Sequence, residues 1–515
     1  MALLSCSFPR LNFLFNRFLE SSWSMTIKAR SSSSVTASSS DSKVLPFAHI
    51  PGPKGTAQNL WGYLLSKGAI LEVVSKRFKR FGPIYSEQLL DTRIVNISDV
   101  DAIQKVLTNE REFQMRPGLE AVAEIVENDN GLGLASNDYE TWRPERSIIS
   151  PKLMRPKEVS ETFPILNTVA NDFTKRLDHL RQSDGIVDNI HEELTYFMVE
   201  SFSSFLFNRR LGFYKHPPEP AAVAFVNAAL DMIYNVGKLF YATPLNKYIK
   251  TPPYYRLKRN LATIHALGMD IIEEVLATKQ QGQENDFSIK QSVFEYLVEN
   301  GMNTPKSMAA ITGLIAAGVD TTSTTCLWLL YELSRNPDVQ DRIYQEIASA
   351  VGPNEHLSPK KIPSLLKAAV KESQRMYPVA GYIVPRVFPK DLEVLGYNIP
   401  AGVNVFLHEY LLSLDERYYG QDAKQFVPER WLRDKAGGKK EFHPFTTLPF
   451  GYGVRMCVGR RMAESIINIL VSKILLSYRL EYVGEPDVNR SIKGALMQPD
   501  KPILLKFTPK RNDMF

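Results

Sequence analysis

Cysteine is scarce in this chain: among 515 residues there are three, Cys6, Cys326 and Cys457. An odd, sparse set excludes a disulfide framework. No Cys-x-x-Cys pair occurs, so a zinc ribbon and a thioredoxin-type couple are excluded too. Any cysteine chemistry therefore rests on a single thiol. No run of about 20 apolar residues is present, and a transmembrane anchor is not expected. No Lys/Arg-rich run is interleaved with aromatics, which argues against nucleic acid as a partner. The net charge of +6 suits an acidic partner or a basic leader instead. Internal repeats and interior linkers are missing as well, as expected for one large domain.

Acidic residues are nearly absent from the first forty positions, where Glu20 stands alone against Arg10, Arg17, Lys28 and Arg30. Serine is abundant there (Ser31 to Ser34, Ser38 to Ser40), and Leu11, Phe15, Phe18 and Leu19 fall near one helical face. This is the composition of an organellar transit peptide, and a disordered tail shares its serine content. Arg10 and Arg17 interrupt any secretory h-region. Residues 41–55 hold Pro46, Pro51, Gly52, Pro53 and Gly55 and read as an extended hinge, with the body running from 56 to 515.

Within the body, 83–97 alternates like a short hairpin and 99–375 is mostly helical in pattern. Ser307 to Ser334 has few polar residues and no proline, as a long buried helix would. Residues 382–407 turn strand-like, an aperiodic run spans 420–457, a helix starts near Gly459, and short strands close the chain. The fold class expected is mainly α with small β-sheets.

The segment richest in chemistry is Phe450-Gly451-Tyr452-Gly453-Val454-Arg455-Met456-Cys457-Val458-Gly459-Arg460-Arg461. Its glycines permit tight turns and close backbone approach to a flat ligand. Cys457 sits just before a helix start, where backbone N–H groups stabilise a thiolate. Arg455 suits an anionic group on the same ligand. A thiolate on a haem iron favours O–O cleavage. A structural cysteine in a glycine-rich loop would present the same isolated thiol.

Phe450, Gly453, Arg455, Cys457 and Gly459 match FxxGxRxCxG, and the chain from about residue 46 onward is identified as a member of the cytochrome P-450 superfamily. The resemblance implies haem as cofactor, with Cys457 as its axial and metal ligand. It also implies a haem-dependent monooxygenase that activates O2. Ala317-Gly318-Val319-Asp320-Thr321-Thr322 resembles the family's oxygen-activation motif. By that likeness Thr321 is the hydroxyl that holds the oxygen species and Asp320 feeds the proton path. An acid in an apolar helix is costly unless functional or paired. Helix-internal hydroxyls also bond back to carbonyls, and Thr322, Ser323, Thr324 and Thr325 are read that way.

Glu372 and Arg375, at i and i+3, share a helix face. They resemble the family's ExxR pair, with Arg430 of Phe426-Val427-Pro428-Glu429-Arg430-Trp431 as third member, a structural support for the Cys457 loop. Trp142 and Arg146 share a face at i, i+4, and Pro144 between them fits only the first turn of a helix. Likeness to WxxxR makes both donors to the haem propionates, joined by Arg386 and Arg455.

Lys367 and Lys371 lie one turn apart, a spacing also found on any solvated helix. They resemble the pair that receives an acidic ferredoxin in mitochondrial members, and Arg460 and Arg461 resemble that branch's GRRxAE. The resemblance thus implies an adrenodoxin-like ferredoxin with its NADPH-dependent reductase. It further implies a matrix-side mitochondrial location with peripheral inner-membrane association, and an apolar substrate of sterol, steroid or secosteroid class. Segments 113–135, 225–245, 379–384 and 495–500 are expected to set substrate choice. The rival readings are a xenobiotic-oxidising monooxygenase, a microsomal enzyme served by a diflavin reductase, a haem-thiolate isomerase or lyase, and a non-catalytic haem or sterol carrier.

Overall fold

The computed structural model describes residues 44–56, 59, 62–63, 70–109, 124–125, 139–215, 218–246, 249–280, 290–352, 355–380, 383–433, 441–494 and 496–510. The leader, residues 1–40, lies outside them.

The first described elements are helix α1 (Ile70–Phe81), strands β1 (Ile84–Leu89) and β2 (Thr92–Ile97), and α2 (Val100–Thr108). Asp99 caps α2 by accepting from the Ala102 amide. Helices follow: α3 (Tyr139–Met154), α4 (Pro156–Glu161), α5 (Phe163–Leu180), then the short β3 (Ile186–Val187) and α6 (Ile190–Leu206). Next come α7 (Pro220–Asn246), α8 (Pro252–Gln280), α9 (Val293–Glu299), α10 (Thr304–Arg335), α11 (Pro337–Ala350) and α12 (Ser364–Met376). The strand-like run after 382 resolves into β4 (Ile383–Val387), β5 (Leu392–Val394), β6 (Tyr397–Ile399) and β7 (Asn404–Leu407). A turn of helix α13 (Glu416–Tyr419) precedes the aperiodic run, and α14 (Arg460–Ser477) follows it. Strands β8 (Tyr478–Tyr482), β9 (Arg490–Lys493), β10 (Leu496–Pro499) and β11 (Leu505–Pro509) finish the described chain.

The molecule is mainly α with small separate sheets, as its patterns implied. The expected hairpin is β1–β2, and its sheet continues through β7 to β4 in the order β1-β2-β7-β4. The β2–β7 pairing is parallel and joins Ile94 to Asn404. The proline-rich run expected as a hinge is tied down from Leu45 onward. Leu45 bridges Tyr397, and the Ser86 amide donates to the Pro51 carbonyl. A Cβ on Gly52 would stand 1.8 Å from the Ser86 carbonyl oxygen, so only glycine lets the chain cross there.

Among the described residues two apolar cores form. The smaller fills the space between the β1-β2-β7-β4 sheet and α2. The larger is built by the helices around α10, whose residues from Thr322 to Ser334 are all buried. A helix apolar on all sides belongs in the centre of a fold. Among the described residues no helix is long and apolar enough to cross a membrane.

Candidate functional site

The loop before α14 is shaped by glycine. Gly451 and Gly453 take φ of 69° and 75°, a region L side chains avoid. The resulting turns fold the loop back until the Cys457 amide donates to the Phe450 carbonyl at 2.9 Å. This leaves the Cys457 sulfur exposed toward a cavity, three residues ahead of the first turn of α14.

That cavity, of about 350 Å³, lies between the loop and the middle of α10. Ala317, Gly318, Thr321 and Thr322 form one wall; Phe450, Cys457 and Gly459 form the other. Its surface is mostly apolar, yet Arg386 and Arg455 enter it as guanidiniums only 2% and 4% exposed. Two buried cations on the wall of a mostly apolar cleft suit an anionic group on its ligand. Arg455 also stacks 3.9 Å from the centre of the Trp142 ring. Arg146 lies over the same ring and donates to the Met456 carbonyl at 2.8 Å. Burial lowers the Arg146 pKa, and a negative Cys457 opposes that shift. Trp142 and Arg146 thus stand behind Arg455 and the loop. Pro144 is the sixth residue of α3, not a first-turn residue as its ring led us to expect. The helix carries Pro151 as well and continues through both prolines.

Beneath the loop, Glu372 is fully buried and gathers four residues. Arg375 donates through Nε and Nη2 at 2.9 and 2.7 Å, Arg430 through Nε at 2.8 Å, Trp431 through Nε1 at 2.8 Å, and the Val427 amide at 3.1 Å. Arg375 further grips the carbonyls of Ser413 and Ala423 at 2.6 and 2.7 Å. The carboxylate therefore ties α12 to the segment from Val427 to Trp431, and Arg375 ties it to Ser413 and Ala423. Charge-assisted bonds of this kind are strong only where every partner is satisfied.

The family model for cytochrome P450 matches residues 51–507. The chain belongs to the cytochrome P450 family. Cytochrome P450 10 of Lymnaea stagnalis is 31% identical, over 91% of this chain and 87% of the relative. The mitochondrial sterol 26-hydroxylase of Homo sapiens is 29% identical, covering 84% and 83%. The mitochondrial 25-hydroxyvitamin D-1 alpha hydroxylase of Rattus norvegicus is 30% identical, covering 92% and 96%. The chain is accordingly an oxidoreductase, a P450 monooxygenase related to mitochondrial sterol and steroid hydroxylases. P450s carry a thiolate-ligated haem, and this cavity fits one. Apolar walls suit the macrocycle, the buried Arg386 and Arg455 suit its carboxylates, and the Cys457 sulfur faces the same space.

Not every residue singled out by pattern reaches that space. Thr321 lines it, while the adjacent Asp320 opens onto a second cavity on another side of α10. Burial raises the Asp320 pKa to about 6, against a small opposing pull from Thr324. The Thr321 hydroxyl itself bonds back to the Ala317 carbonyl at 2.6 Å. Thr325 does likewise to Thr321, and Ser323 to Asp320. Thr324 departs from the expected pattern: its hydroxyl meets Asp320 Oδ1 at 3.5 Å and His191 Nε2 at 3.4 Å.

On the outer surface, Lys367 and Lys371 of α12 and Arg461 of α14 border one depression of about 390 Å³. Arg460 does not border it, but pairs at 3.1 Å with Glu464, which does. Three contributors escaped the sequence reading. Trp431 lay inside a quoted motif without a role. Gln498, which donates to Asp320 at 3.3 Å, lay in a segment assigned to substrate. His191 carried no signal. Residues 113–123, 126–135, 381–382 and 495, expected to help set substrate choice, lie outside the described residues. Val379 and Ala380 of the same expectation do line the Cys457 cavity.

Proposed function

We propose that Cys457 is the axial thiolate of the haem and that the enzyme hydroxylates an apolar substrate of sterol, steroid or secosteroid class with electrons from a ferredoxin. The observation that carries the first part is one sulfur sharing an apolar cavity with two buried guanidiniums. A helix N-terminus behind the loop favours the charged form of that sulfur. Arg386 and Arg455 would hold the propionates, with Trp142 keeping Arg455 flat and Arg146 holding the loop. Glu372, Arg375 and Arg430 keep the loop's foundation in place and take no part in the chemistry. The chemistry supplied with haem bound is reductive activation of O2, one oxygen atom leaving as water and the other entering a C–H bond. Thr321 offers its hydroxyl at the cavity wall, and Asp320 supplies protons from the side.

The three cations Lys367, Lys371 and Arg461, which among the described residues outnumber the single acid Glu464 around the depression they border, support an acidic electron donor, since an exposed excess of one sign steers a partner of the other. Relatives named as mitochondrial support the same reading, with residues 1–40 as a transit peptide, 41–55 leading into the body, and a location on the matrix side of the inner membrane. We extend this proposed surface to Arg460, which adjoins it through its ion pair with Glu464. Their names also support the substrate class.

The deciding test is the reduced, CO-bound spectrum of the holoenzyme, followed by turnover with a ferredoxin and its reductase or with a diflavin reductase. A thiolate-type Soret band that disappears in Cys457→Ser, and turnover with the ferredoxin alone, are the expected results. A band that survives the substitution sinks the ligand assignment. Equal turnover with the diflavin reductase sinks the partner.

A further inference from the structure

An α-helix turns about 100° per residue, so consecutive side chains face different neighbours. Asp320 and Thr321 use this: Thr321 faces the cavity of Cys457, and Asp320 faces a second cavity of about 460 Å³ bounded by α6, α7 and the β9–β10 hairpin. Several waters fit in such a volume, since each occupies about 30 Å³ of liquid.

We propose that this second cavity is the water-filled antechamber from which Asp320 takes its protons, and that Gln498, Thr324 and His191 are the positioning residues that hold the carboxyl toward it. The proposal rests on the proton role given to Asp320 above and names where those protons enter.

The geometry is specific. Gln498 Nε2 and Thr324 Oγ1 both reach Asp320 Oδ1, at 3.3 and 3.5 Å, and His191 Nε2 backs Thr324 at 3.4 Å. Gln498, Asp320 and His191 thus line the cavity, and the buried Thr324 links Asp320 to His191 from behind. Lys493 stands exposed on the same hairpin. That hairpin is docked at its turn: Gly494 has φ of 63°, and a Cβ there would lie 2.9 Å from the Tyr234 Cα of α7. On its other side, the Met497 amide donates to the Val379 carbonyl at 2.8 Å. Gln498 is therefore held at both flanks.

The titratable groups facing Asp320 from the packed elements are His191, Glu192 and Tyr196 of α6, Tyr234 of α7 and Lys493 of β9. Burial, helped by Lys493, lowers the His191 pKa to about 4, so the imidazole is neutral near pH 7 and orders neighbours without competing for the proton. Glu192 is engaged by Asn189 and Tyr196. Burial raises Tyr196 to about 12, which keeps the phenol protonated. Asp320, raised by burial to about 6, titrates close to neutrality, where a group both loads and releases protons readily. One turnover consumes O2, the substrate C–H, two electrons and two protons, and yields the alcohol and one water. Each proton lost by the Asp320 carboxyl is replaced from cavity water. When delivery through Asp320 falters, the O2 leaves with the same two electrons and two protons from bulk solvent as hydrogen peroxide, and the C–H bond stays intact.

The test uses the holoenzyme and the variants Gln498→Leu and Thr324→Val, the second matched in shape, with the folding of each checked by its CO-bound spectrum. Asp320→Asn serves as reference. Infrared titration of the Asp320 carboxyl band, assigned by its loss in Asp320→Asn, is read beside the solvent isotope effect on turnover and the peroxide released per electron. Removing either donor weakens the charged form, so the carboxyl titrates about one unit higher. The isotope effect grows and peroxide rises several-fold, with the CO-bound spectrum unchanged. If Asp320→Asn moves these readouts and neither other variant does, the antechamber is wrong and the role of Asp320 stands. If Asp320→Asn also moves nothing, the proton role fails and takes the antechamber with it.

Discussion

The Trp431 indole and the Arg375 Nε meet at one oxygen, Glu372 Oε2, from distances of 2.8 and 2.9 Å. The other oxygen takes Arg375 Nη2, Arg430 and the Val427 amide. Deleting the carboxylate would leave an indole N–H and a backbone amide without that acceptor and strip two buried guanidiniums of their shared counter-charge, with Arg375 keeping only carbonyls and Arg430 keeping Asp422. Glu372→Ala should cost about 3–5 kcal/mol of stability, the range for breaking a buried ion pair. Denaturant unfolding of purified protein measures it. A loss under about 1 kcal/mol would mean that the cluster relaxes freely.

Gly318 is fitted to Phe202 of α6. A Cβ on Gly318 would stand 2.4 Å from the Phe202 Cζ, so α10 and α6 approach only because the side chain is missing. Gly318→Ala should destabilise by about 1–3 kcal/mol through overpacking. Adding Phe202→Leu should recover most of that. Thermal melts of the two single variants and the double variant check it, and strict additivity would show that the two positions are not coupled.

Asp320 holds an acid in a place that disfavours its charge. Its pKa is about 6 in the fold against 3.8 for the free side chain. The folded state therefore binds a proton more tightly than the unfolded one. The associated deficit in stability is absent below the unfolded value and complete above the folded value. Asp320→Asn should gain about 1–3 kcal/mol at pH 7.5 and almost nothing at pH 3.5. Melting curves at the two pH values separate this from a pH-independent effect.

Lys367 and Lys371 are exposed on one face of α12 and border the same depression as Arg461. Reversing charge with Lys367→Glu and Lys371→Glu should lower kcat/KM for a reduced ferredoxin by roughly tenfold at low salt, with the difference shrinking as salt rises. The substrate-binding spectrum should stay the same. A loss independent of salt would point to damage inside the fold.

Features written in short spacings were legible. The glycines around Cys457, the Glu372–Arg375 turn and the long apolar helix each follow from residues within one or two turns of each other. The Thr321 hydroxyl was harder, since its bond to the Ala317 carbonyl satisfies the same helix-internal pattern assigned to its neighbours. Gln498 lay beyond reach because it meets Asp320 across 178 residues of chain. Nothing in the alternation of a short strand says which helix its polar side will touch. His191 fails for the same reason. Pro144 misled because a ring inside a helix is costly on average, and α3 tolerates two of them. The proline-rich run after residue 41 carried turn chemistry but no sign of the strand at Tyr397 that it would bridge.

The parallel pairing of β2 with β7 has a consequence for how the chain is made. Ile94, Val95 and Ile97 are buried to 7% or less, and their ladder partners, Asn404, Val405 and Leu407, come near the other end of the sequence. A ribosome, or a translocation pore that feeds the chain amino end first, delivers the apolar hairpin long before its partner strand exists. Through that interval β2 offers an unpaired edge to any neighbouring chain, a ready template for aggregation. That edge is covered only when β7 arrives, so a holding chaperone supplied during synthesis should raise the yield of soluble enzyme without altering the stability of the finished fold.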